Sequence, residues 1–161
     1  MATKAKPIPD GYHTVTPCLT LKNTQQAIEY YKKAFGAKVL ELFPGLEGQG
    51  VMHASIQIGN SIIMLGDEMP GQGNKSIESL EASPVSLYVY VPDVDETYRQ
   101  AIDAGASEIM PVDDMFWGDR CGTLKDPFGY TWMIATQKQE LTREEIKQGA
   151  EAFFAASKRY A

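Results

Sequence analysis

Asn23-Thr24-Gln25-Gln26-Ala27-Ile28-Glu29-Tyr30-Tyr31-Lys32-Lys33-Ala34-Phe35-Gly36 is a helix with both of its ends written into it. Asn23 can accept from the free N–H groups of a first turn, with Gln26 three positions on. Ala27, Ile28, Tyr31 and Phe35 then recur at helical spacing on one face, and Gly36 tolerates the left-handed backbone that closes a helix. The same reading recurs further along. Asp93 with Glu96 opens a second helix, Val94, Tyr98, Ala101 and Ile102 form its apolar stripe, and Gly105 stops it.

Working outward from the two helices, each is preceded by a strand-like run, Val15 to Leu21 and Val85 to Val91. Each is followed by three extended segments: Lys38 to Phe43, Val51 to Ile58 and Ser61 to Leu65 in the first copy, and Glu108 to Val112, Arg120 to Leu124 and Tyr130 to Thr136 in the second. Gly59-Asn60 supplies a hairpin turn, and Asp126-Pro127-Phe128-Gly129 a tight turn in which proline presets φ and glycine accepts a positive φ. Met64 lies as far beyond Gly36 as Met133 lies beyond Gly105. The chain is therefore an α+β duplication, βαβββ twice.

We expect one domain over residues 12–139, with modules at 12–67 and 84–137 joined by a Pro- and Gly-rich crossover loop at 68–83. A tail covers 1–11. An amphipathic C-terminal helix covers 140–161, with Thr142 and Glu145 as its capping box and Ile146, Ala150, Phe153 and Phe154 as an apolar face directed at the domain or at a second subunit.

Composition narrows the function classes. A 161-residue chain that is 43% hydrophobic and 22% charged can bury a substantial core. Its net charge of −6, with basic residues scattered singly or in pairs, argues against nucleic acid or an anionic membrane as partner. Two cysteines are too few for a disulfide framework, and no segment has signal-peptide or membrane-span character, so a cytoplasmic protein is expected. No phosphate-binding or dinucleotide glycine pattern follows a first strand.

The paired βαβββ modules, the helix entry Asn23 to Tyr31, Phe35-Gly36-Ala37 and Asp126-Pro127-Phe128-Gly129 together resemble the vicinal oxygen chelate superfamily, which contains glyoxalase I, bleomycin-resistance proteins and extradiol dioxygenases. Val51-Met52-His53-Ala54, Ile63-Met64-Leu65-Gly66-Asp67-Glu68 and Phe116-Trp117-Gly118-Asp119-Arg120 resemble its PhnB-like branch. The resemblance implies a cupped mixed sheet. It also implies a divalent metal held by residues of the first and last strands of each module. Thr16, Ser86, Met64 and Met133 fall at those positions, and hydroxyls and thioethers bind such cations weakly. We therefore expect no metal, no cofactor and no enzyme activity, but a small organic molecule held in the cup of a homodimer. The alternative is a lyase, isomerase or dioxygenase of the same superfamily, using an unconventional metal or His53 as general base.

Strand alternation selects the candidate residues. Ser86, Tyr88, Met64, Met133, Gln57 and His53 fall on the cupped side, an aromatic, thioether and hydroxyl lining suited to an organic ligand. Such a face can equally be filled by its own side chains. Trp117, Asp119 and Arg120 could close over a ligand, the indole stacking and the guanidinium pairing an anionic group, or Asp119 and Arg120 could simply pair with each other.

Overall fold

The computed structural model describes residues 5–71 and 73–157, so residues 1–4 of the expected tail, 72 of the crossover loop and 158–161 of the last helix lie outside the described residues. The elements run β1 (Cys18–Leu21), α1 (Thr24–Phe35), β2 (Lys38–Pro44), β3 (Val51–Ile58), β4 (Ser61–Asp67), α2 (Ile77–Leu80), β5 (Ser86–Tyr90), α3 (Val94–Asp103), β6 (Ser107–Asp114), β7 (Asp119–Lys125), β8 (Thr131–Gln137) and α4 (Arg143–Ser157). The strands form two four-stranded sheets, ordered β1-β4-β3-β2 and β5-β8-β7-β6. In each, the first strand pairs parallel to the last, and the other pairings are antiparallel. The duplication reaches into the irregularities: both second strands shift register at equivalent points, around Leu40 and around Ile109.

The helix ends form as their residues dictate. Asn23 accepts from the Gln26 N–H at 3.0 Å, Asp93 from the Glu96 N–H at 3.0 Å, and Gly36 closes α1 at φ 63°. The capping box of α4 is made in both directions: the Thr142 N–H donates to Glu145 at 2.7 Å and the Glu145 N–H to the Thr142 hydroxyl at 3.3 Å.

Helix α1 buries more than its expected stripe. Tyr30 as well as Tyr31 is buried, because α1 touches its own sheet, α3 and the second sheet together. The Tyr30 hydroxyl reaches the Ala101 carbonyl on α3 at 3.4 Å, and the Tyr31 hydroxyl donates to Asp126 at 2.8 Å. Trp132 of β8 stacks at 4.6 Å on Phe35. Asp126 is the centre of this brace. Only 3% exposed, it receives Tyr31 Oη and Trp132 Nε1 on Oδ2, and the N–H groups of Phe128 and Tyr130 on Oδ1. Burial pushes its carboxyl up, opposed by these four donors, which favour the ionised form.

Two expectations are corrected. The first strand begins at Cys18, not Val15, which is 84% exposed; Pro17 has no N–H to donate to the ladder and marks where pairing starts. The crossover loop contains the short helix α2, capped by Ser76 and tied to Glu68, which accepts from the Ser76 N–H at 2.7 Å and the Ser79 hydroxyl at 2.8 Å. Those donors, the Ser76 N–H foremost, lower the Glu68 carboxyl to about 2. No helix among the described residues is long and apolar enough to cross a membrane.

Candidate functional site

On the cup face of the second sheet, three donors converge on one carboxylate oxygen. Asp119 Oδ2 accepts from the Tyr88 hydroxyl at 2.8 Å, the Tyr90 hydroxyl at 2.9 Å and Trp117 Nε1 at 3.1 Å. Asp119 is 4% exposed and Cys121, on the same face of β7, is fully buried, so the aromatic side chains roof over this half of the cup. Burial first and the Asp119 bond second raise the Tyr88 phenol; for Tyr90 the Asp119 bond comes first. Burial also raises the Cys121 thiol, which keeps it unreactive. Phe116 stacks on Phe153 of α4 at 5.6 Å, which brings the last helix to the Phe116-Trp117 segment. Of the expected apolar face of α4, Ile146 and Ala150 are half-buried, while Phe153 and Phe154 remain 53% and 59% exposed.

Arg120 is not part of this cluster. Alternation along β7 carries its side chain to the helix-covered side. There it forms a bidentate pair with Asp95 of α3, at 2.7 and 2.8 Å, and reaches Asp114 at 3.3 Å. The bond from Arg120 lowers the Asp95 carboxyl. Arg120 thus stands on the other face from the Asp119 cluster, and the expected alternative, its pairing with Asp119, is corrected: adjacent strand residues point to opposite faces.

On the first sheet, His53, Ser55 and Gln57 share the cup face of β3. His53 Nε2 lies 3.3 Å from the Ser55 hydroxyl, which lies 3.0 Å from the Tyr12 hydroxyl. The chain around Gly11 and Tyr12 crosses this face, since a Cβ on Gly11 would stand 3.3 Å from Ile62 Cδ1, and it buries Ser55 and Ile62. Sequence reasoning left Gly11 and Tyr12 out of the cup because the segment preceding a first strand carries no periodic signal.

Register places Cys18 beside Met64 and Tyr88 beside Met133, with Ser86 beside Thr131 and Thr16 upstream of the strand. The family's metal does not fit this donor set. Cys18 contributes one thiol next to a thioether, and a phenol stands across from the other methionine. Among the described residues, no three His, Cys, Asp or Glu side chains come together.

An open space lies at the seam between the modules. The outer edges of β1 and β5 are not hydrogen-bonded to each other. At one end the Tyr130 hydroxyl closes the gap by donating to the Thr20 carbonyl at 2.9 Å. At the other, a cleft of about 750 Å³ opens between residues 13–17 and 87–92. Tyr88 and Tyr90 stand at its cup side and Phe35 and Trp132 on its helix side. No Lys, Arg, Asp or Glu lines it among the described residues. Thr16, Asn60, Ser61, Thr97 and Gln100 supply the uncharged polar groups.

Comparison with known proteins places this geometry. Residues 12–134 match the family model of the Glyoxalase/Bleomycin resistance protein/Dioxygenase superfamily. The uncharacterized protein Mb0911c of Mycobacterium bovis is 36% identical over 136 residues, which are 83% of this chain and 89% of that one. Protein YjdN of Escherichia coli is 29% identical over 142 residues, 75% of this chain and 92% of its own. Among solved structures, TioX from Micromonospora sp. ML1 aligns with a TM-score of 0.61 at 22% identity, covering 81% of this chain and 100% of that one. The PhnB protein from Bacillus cereus aligns with a TM-score of 0.61 at 18% identity, covering 77% and 99%. At those identities the structural likeness speaks to the fold alone. With the capped helices, register shifts and strand order all duplicated, and a family match that runs from Tyr12 to Ile134, the chain belongs to the glyoxalase/bleomycin resistance protein/dioxygenase superfamily.

Proposed function

We propose that this protein binds a small organic molecule without a metal, in the cleft between its two modules, and that it does so as a homodimer. The observation that carries the reading is the cleft of about 750 Å³, whose walls hold apolar and uncharged polar groups and the imidazole of His13, with no Lys, Arg, Asp or Glu among the described residues. That volume lies within the range of about 300–1,000 Å³ usual for small-molecule sites. A charged ligand would be desolvated there with no carboxylate, ammonium or guanidinium beside it, so the reading favours a neutral one. Support for a dimer comes from apolar side chains that remain 40–90% exposed among the described residues: Leu40, Leu42, Phe43 and Leu46 on and beyond β2.

The test uses 2-naphthol as a neutral probe and elemental analysis of protein purified without chelator. Trp132 borders the cleft and Trp117 is not among the residues lining it, so quenching should be lost in Trp132→Phe and retained in Trp117→Phe. Near one equivalent of zinc, nickel, iron or manganese per chain would overturn the metal-free reading. A monomer by light scattering at high concentration would overturn the dimer.

A second reading, an enzyme with His53 as general base, draws on the hydrogen-bonded series Tyr12, Ser55 and His53. It requires a rate that depends on His53 protonation and disappears in His53→Gln.

A further inference from the structure

We infer that the unpaired outer edge of β5 is a backbone-recognition strip, and that the ligand of the seam is a neutral, apolar, extended molecule bearing amide groups, such as an uncharged peptide. The inference rests on the seam being the ligand site and names what that site selects.

The argument starts from the ladder. β5 pairs parallel to β8, and the Val91 N–H donates to the Ala135 carbonyl at 2.8 Å. In a parallel ladder alternate residues turn both of their backbone groups to the same neighbour, so Val89 and Val91 face β8 while Tyr88 and Tyr90 turn theirs outward. Among the described residues no strand pairs with that side. The same parity holds across the seam. Pro17 and Leu21 carbonyls accept from Met64 and Glu68 of the first module, which turns the backbone of Cys18 and Thr20 outward. Thr20 has found the Tyr130 hydroxyl. The outward backbone groups of Tyr88 and Tyr90 have no such partner among the described residues.

These outward groups face the cleft. Residues 87–92 line it consecutively, although their side chains alternate between the two sheet faces, so what they share toward the cleft is the strand edge itself. An unpaired edge beside an apolar wall is what an added strand recognises: main-chain bonds supply affinity, and the walls sort side chains. Ile62, Ile63, Leu87, Val89 and Phe35 offer apolar walls. Because no Lys, Arg, Asp or Glu lines the cleft among the described residues, nothing there except the His13 imidazole could balance a charged residue. The tyrosine hydroxyl protons are not offered to the ligand, since Asp119 already takes both.

The probe is acetyl-Val-Ala-Val-amide, compared with its fully N-methylated analogue and with 2-naphthol. On the full-length protein, titration calorimetry should show the peptide binding at least tenfold more tightly than the N-methylated form. The amide proton signals of Tyr88 and Tyr90 should move downfield on peptide addition, as expected when a free N–H gains an acceptor. In the protein, Tyr90→Pro removes the ring and the outward N–H, whereas Tyr90→Ala removes only the ring. Proline is tolerated on an edge strand where its nitrogen faces outward. Tyr90→Pro should therefore bind the peptide at least tenfold more weakly than Tyr90→Ala. Should the proline variant fail to fold by circular dichroism, the N-methylated series on the unaltered protein decides. Equal binding of the peptide and its N-methylated analogue overturns the inference. Binding of 2-naphthol alone also overturns it and leaves the small-molecule reading standing, and binding of neither probe removes both.

Discussion

Asp126→Asn should cost this protein a large part of its stability, and the reason is countable. Four donors surround the carboxylate, two on each oxygen: Tyr31 Oη and Trp132 Nε1 on Oδ2, at 2.8 and 2.9 Å, and the N–H groups of Phe128 and Tyr130 on Oδ1, both at 2.9 Å. An amide presents one acceptor and one NH₂. Whichever way it turns, two donors meet another donor in a site that is 3% exposed. A hydrogen bond to a charged group contributes about 1.5–3 kcal/mol, so two lost bonds amount to about 3–6 kcal/mol. Relief from burying a charge offsets part of this, and we expect a net loss of about 3 kcal/mol, against a total stability of about 5–15 kcal/mol for a typical domain. Tyr31→Phe is the internal control, because it removes one donor and leaves Oδ2 held by Trp132, at the cost of a single such bond, about 1.5–3 kcal/mol. Urea unfolding followed by tryptophan emission measures both. A loss below about 1 kcal/mol for Asp126→Asn, or a larger loss for Tyr31→Phe than for Asp126→Asn, would refute the reasoning.

Arg120→Ala should lower the melting temperature modestly, less so at high salt, because it breaks the pairing with Asp95 across β7 and α3; affinity for 2-naphthol should be unchanged, and a lost affinity would return Arg120 to the site. Glu68 is lowered from an ordinary value of 4.5 to about 2 by the Ser76 N–H and Ser79 hydroxyl. Its folded value lies below its unfolded one, so its contribution is present above about pH 4.5 and is lost as pH falls toward 2. Carbon-detected titration of the Glu68 carboxyl should show the low midpoint, and a midpoint near 4.5 would contradict it.

The helices and the duplication were legible because their signals are local. A cap, a stripe and a stop lie within one segment, and strand alternation correctly sorted Tyr88 and Met133 from Leu87 and Trp132. What alternation alone could not supply was the partner of each side chain. Asp119 and Arg120 are neighbours in sequence, yet Asp119 is bonded to Tyr88, Tyr90 and Trp117, and Arg120 to Asp95. The chemistry of the cluster depends on β5 and β7 lying on either side of β8, a long-range fact. Tyr30 was missed for a related reason, since its burial comes from α3 and not from its own module. The seam cleft had no sequence signal at all, being an absence of pairing between β1 and β5.

The Gly11-Tyr12 crossing has a consequence for how the two copies have diverged. The first half of the cup is stoppered by chain that comes before the repeat, through Tyr12 on Ser55 and Gly11 against Ile62. The second is roofed by Trp117 from within its own copy, with Phe116 backed by α4. The halves are therefore alike in backbone but no longer interchangeable. A copy of the first module grafted in place of the second would arrive without its stopper. A chain trimmed to begin at Cys18 would leave a serine and an isoleucine, now shielded, open to water, so the residues ahead of the first strand are as much a part of that half of the cup as the strands themselves.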